Sequence, residues 1–426
     1  MSVKELTALL NDMPVGRVLR DDHGRLKFIY DDSWRWAADA YPLSLSMPLG
    51  SKEHSHGVIE SYLWGLLPDN AVVLESWGRQ FQVSPRNAFA LLSHVGEDCA
   101  GAIQFVRQEQ LEIARTRRKD TVEWLEEKDI AERLRILRAD PSASRLQQDQ
   151  GYFSLAGAQP KTALLLQNGR WGVPSGRIPT THILKPTAGH LTGFIENEHL
   201  CLQLARELGF PVANSRLLSF EGELAIALER FDRVHTAKGW QRIHQEDFCQ
   251  ALGKPPALKY QSDGGPGPKD IADLLRTHSS AATDDVVTFV DALALNWLIA
   301  GTDGHAKNFG LLIGPGRVRL APLYDVASIL PYPQFELKRA KLAMKIADRY
   351  QIQSIGRREW LKIARQLQLP SDTLLERIIH MAEAIPDLAA EVGNEMAQAG
   401  LTSAVIDRLV TRLAGRARGC LTLLTR

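Results

Sequence analysis

One stretch constrains this chain more than any other. An apolar helical run, Phe289 to Ile299, leads into Thr302-Asp303-Gly304-His305-Ala306-Lys307-Asn308. A strand candidate, Phe309-Gly310-Leu311-Leu312-Ile313, follows at once. After the turn Gly314-Pro315-Gly316 comes a second strand, Val318-Arg319-Leu320, and then Leu323-Tyr324-Asp325-Val326. The order places a loop bearing an acid and an amide at the mouth of a hairpin, and a second acid at the hairpin's far end. An Asp-Gly pair alone reads as a plain turn, and a lone histidine is more often structural. The combination is far more restrictive than its parts.

Phosphoryl transfer needs few protein groups. A carboxylate orients or deprotonates the attacking hydroxyl, oxygen ligands hold magnesium on the phosphates, and a lysine steadies them. Mg²⁺ takes hard oxygen ligands, usually with one or two carboxylates. Asp303 precedes Asn308 by the spacing found between the base aspartate and the metal-binding asparagine of a kinase catalytic loop. Asp325 falls where the second metal aspartate of such a site lies, although Val326-Ala327 follows it and not Phe-Gly. His305 lies inside the loop. These residues point to a phosphotransfer centre.

Upstream, His182-Ile183-Leu184-Lys185 reads as a strand ended by Pro186, with Lys185 as the phosphate-binding candidate. Glu198 on the following helix is the candidate partner of Lys185, and Glu196 is the competing choice. The segment Ser154-Leu155-Ala156-Gly157-Ala158-Gln159-Pro160-Lys161-Thr162 lacks the GxxxxGK[ST] spacing of a Walker A loop. Its backbone amides at Ala156 to Gln159 offer a phosphate cover, and a plain turn is the competing reading.

The remaining texture suggests a domain plan. Residues 1–110 mix short strands such as Arg25 to Tyr30 with turns. Residues 111–150 read as a charged helical connector, with helices starting at Thr121-Val122-Glu123-Trp124 and at Ile130 to Leu137. Residues 151–235 alternate strands and turns: Thr162 to Leu166, an Asn168-Gly169 hairpin turn, Trp171 to Val173, and Leu224 to Leu228. A helix from Glu198 to Leu208 stops at Gly209. Residues 236–426 are mostly helical, with apolar spacing over Asp285 to Ile299, Arg357 to Leu367, Asp372 to Ala382 and Ser403 to Leu413. Arg408, Arg412, Arg416 and Arg418 share one helix and read as a basic face or as a solvated one. The expected fold is α+β: a strand-rich small lobe followed by a helical large lobe, the coarse plan of a kinase.

Bulk properties narrow the setting. The chain has 426 residues, 44% of them hydrophobic and 24% charged, with a net charge of +1. Near-neutral charge does not advertise nucleic-acid binding. The four cysteines (Cys99, Cys201, Cys249, Cys420) give neither zinc spacing nor a disulfide framework. With no signal-peptide pattern at Met1-Ser2-Val3-Lys4, the expected location is the cytoplasm. The longest apolar stretch, Phe289 to Ala300, is interrupted by Asp291 and Asn296 and is too short to span a bilayer.

These segments together resemble the HipA family, the kinase toxins of bacterial HipBA-type toxin–antitoxin systems. The resemblance rests on Pro42-Leu43-Ser44-Leu45-Ser46, Gly65-Leu66-Leu67-Pro68-Asp69, Ala156 to Gln159 with Lys161-Thr162, and His182 to Lys185. It continues through Glu229-Arg230-Phe231-Asp232-Arg233, Gln245-Glu246-Asp247, Ser262 to Gly267, Thr302 to Phe309 and Pro322 to Asp325. It implies a small N-terminal domain ahead of a two-lobed protein-kinase-like core, and Ser/Thr phosphorylation with ATP and Mg²⁺. It implies that Asp303 is the base, that Asn308 and Asp325 hold the metal, and that Lys185 contacts the phosphates. Ala156 to Gln159, Lys161 and Thr162 would line the nucleotide, with Glu229 and Phe231 at the adenine. Ser154 matches a serine that family members autophosphorylate to switch themselves off. Pro160 departs from the acidic residue of the prototype, and the loop Thr187 to Gly193 looks shorter. The resemblance also implies a helix-turn-helix antitoxin that binds operator DNA. Its implied target is an aminoacyl-tRNA synthetase, glutamyl-tRNA synthetase in the prototype, whose phosphorylation arrests translation and growth and promotes persistence. Two other readings stand beside it: a small-molecule or lipid kinase, since Asp303, His305 and Asn308 also form a DxHxxN loop, and a catalytically silent co-repressor.

Overall fold

The computed structural model describes residues 4–109, 111, 121–146, 149, 153–189, 191–237 and 239–425. Part of the expected connector and His190 of the loop after Lys185 lie outside the described residues. The chain packs as two units. The first comprises Met1–Ala188, Leu218–Ala257 and Leu311–Val318; the second comprises Gly189–Leu217, Leu258–Gly310 and Arg319–Arg426.

The first unit begins with a five-stranded antiparallel sheet. Its strands are β1 (Glu5–Leu10), β2 (Met13–Arg20), β3 (Leu26–Tyr30), β4 (Glu53–His54) and β5 (Ile103–Val106), in the order β4-β3-β2-β1-β5. Asn11 and Asp12 join β1 to β2 with φ of 48° and 65°. Two successive positive φ values make the tight turn whose twist suits a hairpin, and Asn and Asp tolerate it best. Helices His56–Gly65, Ala71–Phe81 and Ala88–Val95 complete this part.

A six-stranded sheet follows. It contains β6 (Thr121–Trp124), β7 (Thr162–Gln167), β8 (Arg170–Ser175), β9 (His182–Pro186), β10 (Ser215–Phe220) and β11 (Glu223–Glu229), in the order β10-β11-β9-β7-β8-β6. Here the structure corrects the helix expected to start at Thr121. Thr121 to Trp124 form an edge strand, paired with β8 from Thr121↔Ser175 to Trp124↔Gly172. Thr, Val and Trp favour strands, and Gly172 permits the approach: a Cβ there would lie 2.5 Å from Val122 Cγ1. The helix begins only at Glu127 and runs to Ala139, with the Asp129 side chain accepting from Glu126 N–H at 2.9 Å. It buries Ile130, Ala131 and Leu134 with Leu164, Leu184 and Ala227 of the sheet. The Asn168-Gly169 turn joins β7 to β8 as expected, with φ of 52° and 75°.

The second unit is helical. Helix Phe194–Glu207 stops before Gly209, whose φ is +87°. Helices Pro268–His278, Ala282–Leu298, Arg357–Gln366, Ser371–Gln398 and Ala404–Thr425 form its bulk. Two of these outrun their expected ends. Ser371–Gln398 passes through Pro386, which reads as a stop because it removes one backbone hydrogen bond. Ala389, Val392 and Met396 stay buried beyond it, so packing of the apolar stripe outweighs the lost bond. On Ala404–Thr425, Arg408, Arg412 and Arg416 donate to the carbonyls of Pro331, Leu330 and Trp297 at 3.0 Å each. These arginines tie the helix down and do not form an open basic face. Among the described residues no helix is long and apolar enough to cross a membrane.

Candidate active site

Each unit carries part of the expected site, and each part is described by itself. In the second unit, helix Ala282–Leu298 delivers the chain to Ala300, which adopts φ +54°, and to Gly301, whose N–H donates to Asn296 O at 2.7 Å. Asn296 reads in the sequence as a break in an apolar run. In the structure it is the post around which the loop turns. A Cβ on Gly301 would lie 2.5 Å from Asn296 Oδ1, and one on Gly304 would lie 2.7 Å from Asn296 Nδ2. At both positions a Cβ would press on the Asn296 amide. The glycines' spacing after an Asn at the end of a helix is the signal the sequence carries for this contact.

The loop closes on itself. Asn308 Nδ2 donates to Asp303 O at 2.8 Å, and His305 N–H donates to the same oxygen at 2.7 Å. Asp303 therefore points its side chain outward, 69% exposed, with its backbone fixed. Tyr260 Oη donates to Asp303 Oδ1 at 2.5 Å. His305 is buried and lies edge-on to Tyr260, ring centroids 5.0 Å apart. Burial lowers its pKa against the opposing pull of Asp303, so the imidazole is neutral at pH 7. Its Nε2 is 3.9 Å from Asp303 Oδ1, beyond hydrogen-bond reach.

The hairpin also follows the expected pattern. Its strands are Gly310–Gly314 and Arg317–Leu320. Tyr324 Oη donates to Lys307 O at 2.7 Å, which holds the segment after the hairpin against the loop. Asp325 adopts φ +53°, a strained conformation for a residue with a side chain. Asn308 and Asp325 line one small cavity, together with Asn296 and Gly304. Asn308 has committed its Nδ2, so its Oδ1 is the atom left for a cation. One amide oxygen and one carboxylate suit a magnesium ion that keeps waters and phosphate oxygens as its other ligands.

In the first unit, Lys185 lies on β9 between β7 and β11, opposite Ile226, and is 5% exposed. The segment from Ser154 is held by residues distant in the chain. Ser154 N–H donates to Asp98 O at 2.9 Å, and Ser154 Oγ donates to Leu66 O at 2.7 Å. Ser154 is fully buried. The carbonyl oxygens of Ala156, Gly157 and Ala158 accept from Lys161 Nζ at 2.6 Å, Asp69 N–H at 3.2 Å and Asn70 Nδ2 at 3.3 Å. Gly157 adopts φ +107°, which a side chain would oppose. Thr162 Oγ1 donates to Ser144 O at 2.8 Å, so this hydroxyl is occupied within the lobe.

Glu229 ends β11 exposed and Phe231 is half-buried, while Arg230 and Asp232 between and after them point inward, buried. Arg230 pairs with Asp232 at 2.9 Å, and Arg233 pairs with Asp98 at 2.8 Å. Thr180 N–H and Oγ1 donate to Asp98 Oδ2 at 3.0 and 2.7 Å. The alternation in Glu-Arg-Phe-Asp-Arg signals this inward pair, and Asp98 itself carries no sequence signal. In the second unit, Glu198 is fully buried on helix Phe194–Glu207. Glu196 is half-buried, with its pKa raised by burial.

Comparison with known proteins fits this geometry. A model of the HipA-like C-terminal domain matches residues 153–389, and one of the HipA N-terminal domain matches residues 6–106. A Sinorhizobium fredii protein named as a kinase, Y4mE, is 35% identical over 421 residues, covering 98% of this chain and 99% of its own. The serine/threonine-protein kinase toxin HipA of Shewanella oneidensis is 32% identical over 376 residues, covering 84% of this chain and 82% of its own. A Shewanella oneidensis HipA solved with HipB and operator DNA superposes with a TM-score of 0.82 at 26% identity, covering 98% of each chain. The fold is therefore the α+β, protein-kinase-like one expected from the sequence. Domain matches at both ends and a relative of nearly equal length lead to one conclusion: the chain belongs to the HipA family of serine/threonine protein kinases.

Proposed function

We propose that this chain transfers the γ-phosphoryl group of ATP to a serine or threonine of a protein, as the toxin of a toxin–antitoxin pair. The observation that carries the reading is the loop closed by Asn308 on Asp303 O, with Asn308 and Asp325 on the wall of one cavity. Asp303 orients the acceptor hydroxyl and takes its proton. The acceptor oxygen bonds to the γ-phosphorus, the bond to the β–γ bridging oxygen breaks, and ADP leaves. Asn308 Oδ1 and the Asp325 carboxylate would hold magnesium, which would neutralise charge on the phosphates of ATP.

Lys185 steadies the phosphates, and Ala156 to Gln159 cover them with backbone amides while Lys161 fixes that loop. Glu229 and Phe231 receive the adenine, and Thr162 starts the strand beneath. Of the two candidate carboxylates on helix Phe194–Glu207, Glu198 is fully buried and Glu196 half-buried. His305, neutral and buried, packs the loop. Ser154 is the off-switch: its hydroxyl donates to a carbonyl in a buried slot. A phosphate there, carrying roughly −1.5 to −2 charges, would not fit back. A helix-turn-helix antitoxin with operator DNA is the proposed partner, and an aminoacyl-tRNA synthetase the proposed target, with growth arrest and persistence as the outcome.

The test compares the wild type with Asp303→Asn and Asp325→Asn in growth inhibition and in phosphate transfer from labelled ATP to protein. Each variant is expected to lose activity by about 10²–10⁴-fold while keeping the wild-type melting temperature. Full transfer by the Asp303 variant would sink the assignment.

A further inference from the structure

We infer that Tyr260 is a positioning residue for Asp303, fixing which carboxylate oxygen meets the acceptor hydroxyl. The inference rests on the kinase reading above. It starts from a mismatch between task and surroundings. Orientation of the acceptor demands a fixed carboxylate, since small misplacements are costly. Yet the Asp303 side chain is 69% exposed, and exposed carboxylates change rotamer freely. Something must hold it.

Among the described residues, the hydrogen bond to the Asp303 carboxylate comes from Tyr260 Oη, at 2.5 Å from Oδ1. His305 stands 3.9 Å from the same oxygen. With Oδ1 engaged, Oδ2 is the oxygen left for the acceptor. A tyrosine suits this task because few torsions place its hydroxyl far from the backbone.

Tyr260 is itself held on every side. Its ring lies edge-on to buried His305. Ala306 N–H, in the catalytic loop, donates to Lys259 O at 3.2 Å. Asp263 and Gly265 N–H both donate to Tyr260 O at 3.0 Å. A Cβ on Gly265 would lie 1.9 Å from Leu258 O, so this tight return of the chain is open only to glycine. Next along, Gln261 Oε1 accepts from Lys345 N–H at 2.7 Å, which ties the segment to strand Lys341–Ile346. The run Ser262 to Gly267, which the phosphotransfer scheme leaves without a role, is thus the mount that presents Tyr260 to Asp303.

The geometry admits one rival. A hydroxyl 2.5 Å from the base carboxylate stands where an acceptor would stand, which makes Tyr260 as a target of the enzyme the alternative to Tyr260 as its guide. The ring packing and the anchored backbone favour the guide, because a target must leave and return.

The experiment uses the full-length chain after phosphatase treatment, labelled ATP, and dephosphorylated casein as the protein acceptor. Wild type, Tyr260→Phe, Tyr260→Ala and Asp303→Asn are compared. Tyr260→Phe keeps the ring and loses only the hydroxyl. It is expected to lower kcat about tenfold, with the KM for ATP and the melting temperature unchanged. Tyr260→Ala is expected to lower kcat further and to melt earlier, through lost packing on His305. An unchanged kcat in Tyr260→Phe overturns the inference. So does a drop accompanied by a lower melting temperature, which would make the hydroxyl structural, and so does phosphate found on Tyr260 in the wild type. A wild type that labels neither casein nor itself overturns the kinase reading instead.

Discussion

The loop at residues 302–308 and the loop at residues 156–162 are held in opposite ways. The first is pinned largely by its own neighbourhood: Asn308 reaches back five residues to Asp303, and Asn296 stands just upstream beside Gly301 and Gly304. The second is pinned from afar. Leu66, Asp69 and Asn70 of the N-terminal part accept from or donate to Ser154, Gly157 and Ala158, and Asp98 O receives Ser154 N–H. A locally closed loop needs little chain entropy to form. A loop held across nearly ninety positions depends on the fold of a separate part of the unit. The N-terminal part therefore shapes the segment proposed to cover the phosphates, whereas the loop at residues 302–308 takes its ties from residues of the second unit. Changes in residues 66–98 should alter the segment from Ser154 to Ala158 and leave the loop at residues 302–308 intact.

The largest effect is expected at Asp98. Burial alone would raise its carboxyl, but Arg233, Arg230 and Arg242 outweigh burial and hold it well below the ordinary carboxylate range. Asp98→Ala leaves these buried guanidiniums short of a partner, which costs about 3–5 kcal/mol. Urea unfolding should show that loss. The pH dependence has a definite sign. A depressed folded-state pKa gives stability that is complete above the unfolded value, about 4, and is lost as pH falls through the folded value. The gap between wild type and variant should thus hold from neutral pH down to about pH 5 and close only in strong acid. A gap below about 1 kcal/mol at neutral pH would mean the network does not carry the long-range ties.

Next comes the locally held loop. Gly304→Ala sets a Cβ 2.7 Å from Asn296 Nδ2 and 3.2 Å from its Cγ. Displacing the loop by a few tenths of an ångström should lower kcat by about 10–100-fold. ATP affinity, measured by calorimetry without magnesium, should not change, because the strain stays within residues 296–308. A matching fall in ATP affinity would erase the contrast between the two loops.

The same contrast explains what the sequence disclosed. The local setting of Asp303, Asn308 and Asp325 was legible because spacing along one helix, loop and hairpin fixes it. The catalytic loop's other supports, Tyr260 and Asn296, were not legible: one acts across forty-three residues, and the other looks like a flaw in an apolar run. The ties made by Asp98, Asp69 and Asn70 were invisible for the same reason as that of Tyr260. Thr121 to Trp124 misled because a strand needs its partner β8 to be recognised, whereas a helix start is read locally. The helix expected over Asp372 to Ala382 runs on to Gln398, through Pro386, because buried side chains continue past the proline.

The smallest effect separates two jobs of one residue. Asn70 caps helix Ala71–Phe81, its Oδ1 accepting from Val72 N–H at 3.0 Å, and its Nδ2 donates to Ala158 O at 3.3 Å. Asn70→Asp keeps the acceptor, and a negative charge suits a helix N-terminus. It removes the donor and sets a carboxylate oxygen against a carbonyl oxygen. A single hydrogen bond is worth about 0.5–1.5 kcal/mol, so ATP binding should weaken roughly two- to tenfold. Unfolding free energy should stay within about 0.5 kcal/mol of wild type, and kcat at saturating ATP should be unchanged. Asn70→Ala, which loses cap and donor together, should add a stability loss of about 1 kcal/mol to the same weakening. If Asn70→Asp binds ATP like the wild type, the tie from Asn70 to Ala158 does not order the phosphate cover. The long-range account would then rest on Asp69 and Asp98 alone.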